Sequence, residues 1–594
     1  MTAARNRPLR WLAAFAAAVL AGIFGAARAV TAASAPGRIV ILMVWDGLRP
    51  DLVDARDTPN LQALETAGVR FARHHSVFPT VTLVNAAALA TGGRPASDGV
   101  FGDMMYLAPA LDIARATTIP SVGYLLHDPL NLENTRYLLA LHDARAFANG
   151  VVTLAAAGQT VANSGGYVAI LGKQGPTGMF DPDFVSTDAA GDGLFVSDDV
   201  AAPPAVAAQL DAKPPITMIH PESIAARDAW FARIVTGRAL PAAKAASAAG
   251  RPSLIVYWQH NPDLAQHLAG LGTRIALDAV AADDRNLGAI RKAISDLGIA
   301  GRTDLIVVSD HGFATIKAEI PLARLLKAGV IKGDPDADGM VVARNGGMDL
   351  VYLPARLRAL ERTALMRKIV DYAIMQPWCG PIFSRDRAAR PPHNRNYRGF
   401  IEGTFSERAF GLGGSPRSPD LIVSFREFPD ESNQGLTGPS NRAIVIGPNG
   451  EETTANHSEA LVRPIEGVIY SDAPHYTTGM GMHGAFGPRE LHNVGAAIGP
   501  DFRRGYVDEL PTSNSDVAPT IEHIFGLKRA AGTSGRTIAE ALAGAHRPAV
   551  KARPVTVSAG AKDGDRSVTI AIHLTRYDGR DYPDGVSIER TARH

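Results

Sequence analysis

The sequence predicts an α/β fold: a central, mostly parallel sheet flanked by helices, with inserted cap or lid regions. Two observations carry this. Short apolar runs without polar alternation recur along the chain, as in strands buried on both faces. Between them lie helical stretches with recognisable starts and stops, and strands that alternate with helices build parallel sheets. Ile39 to Trp45 is the first such strand and ends in Asp46-Gly47. Thr58 to Gly68 reads as a helix, with Thr58 as its cap, Pro59 in the first turn and Gly68 as the stop. Thr82 to Thr91 reads as a second helix, stopped by Gly92-Gly93. Ser253 to Tyr257 is a further strand, and Leu305 to Val308 another, ending in Ser309-Asp310-His311-Gly312.

Two long stretches break this rhythm, about 118–248 and 314–472, and both read as insertions at the edge of the sheet. The second holds strand-like runs, Asp349 to Leu353 and Asp420 to Phe425. The main domain thus spans 38–547, and 548–594 reads as a C-terminal β-like appendage or tail, with Ser567 to Leu574 alternating toward β. At the N-terminus, Arg5, Arg7 and Arg10 precede an uncharged run from Trp11 to Gly25, followed by Ala27-Arg28-Ala29. This is the three-part pattern of a secretory signal over 1–29, with an uncleaved anchor as the alternative, and it places the chain in the periplasm or outside the cell. No later run is long and apolar enough to span a bilayer. The 594 residues carry a net charge of +1, so neither a basic surface for specific nucleic-acid binding nor an acidic tail is expected. Cys379 is the sole cysteine, which excludes an intramolecular disulfide and any cysteine-based zinc cluster.

The chemistry lies in four short segments. They are Val44-Trp45-Asp46-Gly47, Asp263-Leu264-Ala265-Gln266-His267, Ser309-Asp310-His311-Gly312 and Gly481-Met482-His483-Gly484. In an open parallel sheet, loops beyond the carboxyl ends of the strands converge on one crevice. Several buried carboxylates gathered there would repel one another unless cations join them. A mixed His/Asp set suits Zn²⁺ better than Mg²⁺ or Ca²⁺, which favour all-oxygen shells. Asp263 and His267 are four apart and share one face of a helical turn, although a surface i,i+4 pair has the same spacing. Thr82 falls at the start of its helix, where free N–H groups and the helix dipole favour an anion. A threonine there is by default an N-cap, and its hydroxyl needs a base or metal to become a nucleophile.

Taken together, these segments resemble the alkaline phosphatase superfamily, and most closely its type I phosphodiesterase/nucleotide pyrophosphatase branch. The resemblance rests on Asp46-Gly47-x-Arg49, Thr58-Pro59-Asn60, Pro79-Thr80-x-Thr82, Asn85, Thr91-Gly92, Asp263-x-x-x-His267, Ser309-Asp310-His311-Gly312 and His483-Gly484. It implies two zinc ions, one held by Asp263, His267 and His483, the other by Asp46, Asp310, His311 and the Thr82 oxygen. It also implies that Thr82 attacks phosphorus and becomes phosphorylated. One position departs from the branch: an asparagine that donates to a phosphate oxygen is replaced here by Asp103. An ionised Asp103 cannot donate and would repel the substrate; a protonated one, one that binds a further cation and one that points elsewhere are the alternatives. Lys173, in the first insertion, is a candidate substrate contact, with a solvated surface lysine as the other reading.

Other signals carry less. Gly479-x-Gly481-x-x-Gly484 follows no apolar strand and contains His483, which argues against a dinucleotide fingerprint. Cys379-Gly380-Pro381 reads as a buried small hydrophobe, and His475 and His492 as ordinary loop residues. The sequence therefore predicts a two-metal hydrolase of small phosphate esters or nucleotides. A phosphomonoesterase or phosphonate hydrolase on the same scaffold is the first alternative, and an inactive metal-stabilised binding protein the second.

Overall fold

The computed structural model describes residues 37–116, 127–147, 150–183, 193–216, 221–386, 397–436, 442–446, 452–456, 461–545 and 550–592. The signal-like segment 1–29 lies outside them. A nine-stranded mixed sheet forms the centre. Its strands are β1 (Ile39–Asp46), β2 (Val69–His75), β3 (Tyr167–Gly172), β4 (Leu194–Ser197), β5 (Ala201–Ala202), β6 (Ser253–Pro262), β7 (Thr303–Val308), β8 (Gly495–Ile498) and β9 (Tyr506–Ser513). Their spatial order is β9-β2-β8-β7-β1-β6-β3-β4-β5. β1 lies parallel to both β6 and β7, with Ile41 opposite Ile255 and Leu305. β3 is parallel to β6 and β4, and β2 to β9. Only the short β5 and β8 run antiparallel to their neighbours within this sheet.

Strand periodicity divides the core into two faces. Val40, Leu42 and Val44 of β1 join Val256 and Trp258 on the side of helix α2 (Thr82–Thr91), which packs Leu83, Val84 and Leu89 there. Ile39, Ile41, Met43 and Trp45 face the opposite layer. That layer is built from α1 (Pro59–Ala67) and the long α4 (Arg274–Asp296), with Leu61, Leu64, Leu277, Leu287 and Ile290. This burial on both faces is why the central strands read as uninterrupted apolar runs.

Two details differ from the sequence reading. Thr58 precedes α1, but its hydroxyl turns back to Asp54 and does not cap the helix. Asp284 of α4 takes that role, accepting the N–H groups of Asn60 and Leu61 at 3.0 and 2.9 Å. Such a long-range cap has no local sequence signature. The stretch 118–248 contributes β3, β4 and β5 to the central sheet, so its described part includes the sheet's own edge strands. The stretch 314–472 supplies most of a four-stranded and a five-stranded sheet, the latter including Met348–Tyr352 and Leu421–Phe425. The chain continues after β9 into a three-stranded antiparallel sheet, Arg553–Asp563, Arg566–Tyr577 and Arg580–Ala592. Among the described residues, no helix is long and apolar enough to cross a membrane.

Candidate active site

The site assembles at the carboxyl ends of the central strands. Asp46 ends β1, Asp263 follows β6 as the first residue of α3 (Asp263–Ala269), and Asp310 and His311 lie just beyond β7. His267 projects one turn further along α3, and His483 follows a two-residue strand, Gly481–Met482, that pairs with Ala314–Thr315. Gly47 makes the turn after β1 with φ +70°; a side chain there would meet the Phe313 ring and the Asp263 backbone. Its N–H donates to Asp310 Oδ1 at 3.0 Å, tying the ends of β1 and β7 together.

Two triads result, Asp263–His267–His483 and Asp46–Asp310–His311. Within each, the potential ligand atoms lie within 4.8 Å of one another. The rings of His311 and His483 stack with centroids 3.7 Å apart, so the triads adjoin. Each histidine places Nδ1 against a backbone carbonyl: His267 on Gly481 at 2.9 Å, His311 on Gly312 at 2.9 Å and His483 on Thr80 at 3.0 Å. A carbonyl oxygen only accepts, so Nδ1 carries a proton, and in the neutral ring Nε2 presents a lone pair. Those Nε2 atoms face carboxylates: His267 and His483 lie 3.3 and 3.4 Å from Asp263 Oδ1, and His311 lies 3.2 Å from Asp310 Oδ2. Asp46 Oδ1, Asp263 Oδ1 and Asp310 Oδ2 are buried with no hydrogen-bond partner. In the neutral rings lone pair faces lone pair, and the contact repels unless a cation, a proton or a metal ion, stands between them. Ligand atoms about 2.0–2.1 Å from a tetrahedral ion lie about 3.3 Å apart, which matches these separations. The residues therefore fit a pair of metal ions.

The electrostatics follow from this crowding. Burial, reinforced by Asp46, pushes the Asp310 carboxyl well above its usual range. Burial and the neighbouring His311 hold His483 well below the ordinary imidazole value. Burial opposes ionisation of Asp263 as well, but Lys173 and His267 overcome it and hold that carboxyl well below its usual range.

Thr82 is the first residue of α2, with Val81 in the cap position, so it is not the N-cap. Its Oγ1 lies 3.3 Å from His311 Nε2. Asn85, one turn on, braces the preceding loop by bonding Val77 N and O and Val81 O. Asn514 joins it, donating to Asn85 Oδ1 and Asp310 O, which couples the helix that begins at Thr82 to the second triad.

Asp103 points into the site, its Oδ1 accepting the N–H of Leu83 at 2.8 Å. It thus occupies a free N–H of the helix end beside Thr82. Burial and the nearby Glu133 push its carboxyl well above the usual range. Lys173 follows β3 and is not a solvated surface lysine. Its Nζ lies 2.8 Å from Asp46 Oδ2, 3.4 Å from Asp263 Oδ2 and 3.8 Å from Glu133 Oε1, between the two triads. Gly172, with φ +128°, allows this approach, since a Cβ there would collide with Trp258 O.

Sequence reasoning missed four neighbours. Trp258 Nε1 donates to Asp46 Oδ2 at 2.8 Å, Glu133 faces Lys173, and Tyr476 stacks on His267 with centroids 4.7 Å apart. Glu490 accepts from Thr80 Oγ1 and from Ala485 N, bracing the backbone on both sides of the His483 contact. None lies in a motif; each reaches the site through strand order or a distant loop. His475 is exposed, and His492 packs on His75 beside Asp584, away from the triads. Cys379 is buried, and burial pushes its thiol up to about 12.

Comparison with known proteins identifies the family and the fold. The family model for type I phosphodiesterase / nucleotide pyrophosphatase matches residues 40–427. No curated protein matches the sequence significantly. Among solved structures, human ectonucleotide pyrophosphatase / phosphodiesterase 5 aligns with a TM-score of 0.50 at 14% identity, covering 85% of this chain and 100% of that one. The murine protein of the same name aligns with a TM-score of 0.49 at 15% identity, covering 82% and 95%. At such identity the human structure speaks for the fold alone, a mixed α/β sheet flanked by helices. The chain belongs to the type I phosphodiesterase/nucleotide pyrophosphatase family and is a hydrolase of phosphate ester bonds.

Proposed function

We infer that the chain hydrolyses phosphodiesters or nucleotide pyrophosphate bonds through a phospho-threonine at Thr82, with two zinc ions per chain. One observation carries this reading: three histidines held at Nδ1 by backbone carbonyls turn Nε2 on orphaned carboxylate oxygens, and one of them, His311, lies beside the hydroxyl of a helix-initiating threonine. Asp263, His267 and His483 would hold one ion, and Asp46, Asp310, His311 and Thr82 the other. Bound there, zinc supplies Lewis-acid activation of the attacking hydroxyl and of the leaving oxygen. Thr82 Oγ1 attacks phosphorus as the bond to the leaving oxygen breaks, and water then attacks phosphorus to free Thr82. The end of α2 directs its dipole at the phosphate. Lys173, between the two carboxylates, reaches the non-bridging oxygens and offsets their charge.

Lys173 also supports a second reading, a phosphomonoesterase. A fixed ammonium between the triads favours a dianionic group more than a monoanionic one. Asp103 opposes it when ionised. The signal-like pattern over 1–29 supports export.

The test is a rate comparison on purified, zinc-loaded protein with aryl phosphate monoesters, diesters, phosphonates and nucleoside triphosphates. Mass spectrometry of acid-quenched enzyme should locate phosphate on Thr82. Turnover with no phosphorylated Thr82 would overturn the covalent route. Zinc retention without turnover of any ester would favour a binding protein.

A further inference from the structure

Behind the triads, an ionic network ties the ends of β3, β4 and β6 together, and the catalytic reading makes no use of it. Asp198 follows β4, His260 lies near the end of β6, and Asp228 is on the helix Pro221–Ile234. His260 Nε2 is 2.7 Å from Asp198 Oδ2, and its Nδ1 is 2.7 Å from Asp228 Oδ1. Both ring nitrogens face carboxylate oxygens, which only accept, so the ring carries two N–H groups and a positive charge. Burial opposes that charge, but Asp198 and Asp228 prevail and raise the imidazole to about 10. Asp228 also takes the backbone N–H groups of His260 and Asn261, and Arg227 pairs with Asp198 Oδ1.

The remaining contact gives the network a direction. Asp198 Oδ2 accepts the backbone N–H of Gln174 at 3.1 Å. Gln174 follows Lys173, whose own N–H donates to Trp258 O at 3.1 Å and whose carbonyl accepts from Thr177 Oγ1 at 2.8 Å. The backbone is therefore pinned on both sides of Lys173, to β6 on one side and to Asp198 on the other. A lysine side chain has many rotamers, and its charge is placed reproducibly only when its backbone is fixed.

We propose that Asp198, held by His260 and Asp228, is a positioning residue for Lys173 that fixes the ammonium between Asp46 and Asp263 for contact with a phosphate group. This rests on the reading of Lys173 as a substrate contact given above. A network that merely staples three strand ends would affect stability without regard to Lys173.

The test is a double-mutant cycle on the zinc-loaded full chain, read by calorimetric binding of inorganic phosphate, which needs no turnover. Asp198→Asn should weaken phosphate binding about 10-fold, and in a Lys173→Met background the same change should have less than about a 2-fold effect. His260→Gln provides a second arm: it keeps Asp198 itself but removes the charged contact that holds its carboxylate against the Gln174 N–H, so it should follow the same pattern if Asp198→Asn fails to fold. An equal loss in both backgrounds overturns the proposal, as does a loss traced by elemental analysis to reduced zinc content, which would mean action through Asp263. If Lys173→Met alone leaves phosphate binding unchanged, the Lys173 assignment falls and this proposal with it. If the wild-type chain binds phosphate yet hydrolyses no ester, the proposed function fails while the cycle remains readable.

Discussion

Replacing Asp103 by asparagine tests a carboxylate that sits beside Thr82 and bears on which phosphate esters the site accepts. Asp103 Oδ1 accepts the Leu83 N–H at 2.8 Å, one residue past Thr82. Asparagine keeps that acceptor, loses a negative charge and turns an N–H₂ group into the site. At an effective dielectric of about 20 and a separation of about 6 Å, one unit of charge on the phosphate is worth about 3 kcal/mol, or about 100-fold in rate. A dianionic monoester carries one more charge than a diester, so its gain exceeds the diester's by up to that factor. Asp103 is only half-buried, and screening by solvent lowers the expected change in the monoester-to-diester ratio of kcat/KM to about 10-fold. Burial and Glu133 push the Asp103 carboxyl upward, so lowering the pH neutralises it, and the gap between wild type and variant should narrow as pH falls. The assay is kcat/KM for matched aryl monoester and diester across pH, with zinc content measured in parallel. An unchanged or reduced ratio refutes charge repulsion. A fall in both rates with loss of metal would instead make Asp103 a cation ligand.

Three further outcomes are expected. Thr82→Ala should lower turnover at least about 1,000-fold with near-normal folding, while Thr82→Ser retains part of the activity; near-normal rates in the alanine variant would remove Thr82 from the mechanism. Gently purified protein should hold about two zinc ions, and chelation should lower its melting temperature, since a ligand at about 1,000 times its Kd stabilises by about 4 kcal/mol; full activity at one metal per chain would refute the two-ion site. For His260, the folded value of about 10 lies above the ordinary imidazole value of 6.5, so its stabilisation is complete below about pH 6.5 and is lost as pH rises toward 10. Denaturant titrations of His260→Gln should therefore show a shallower loss of stability over that window than wild type; identical slopes would deny the His260 charge its role.

How much was legible in the sequence depended on whether the determinant was local. The central strands were readable because a strand buried on both faces is apolar at every position, as Ile39 to Val44 are. The grouping of these Asp and His residues was readable because they recur in short segments at strand ends, where parallel topology forces convergence. That convergence could be anticipated for Asp46, Asp263 and Asp310, each at or just beyond a recognisable strand. Tertiary structure alone decided the remainder. It chose Asp284, more than 200 residues away, to cap the helix that Thr58 appeared in sequence to begin. It turned Asp103 onto the Leu83 N–H and brought Lys173 between Asp46 and Asp263. It also recruited Trp258, Glu133, Asp198 and His260 around them. The physical reason is the same in each case. A cap, a buried ion pair or a bracing hydrogen bond is satisfied by whichever polar group the packing brings within about 3 Å, and that choice is made by strand order and not by neighbours along the chain.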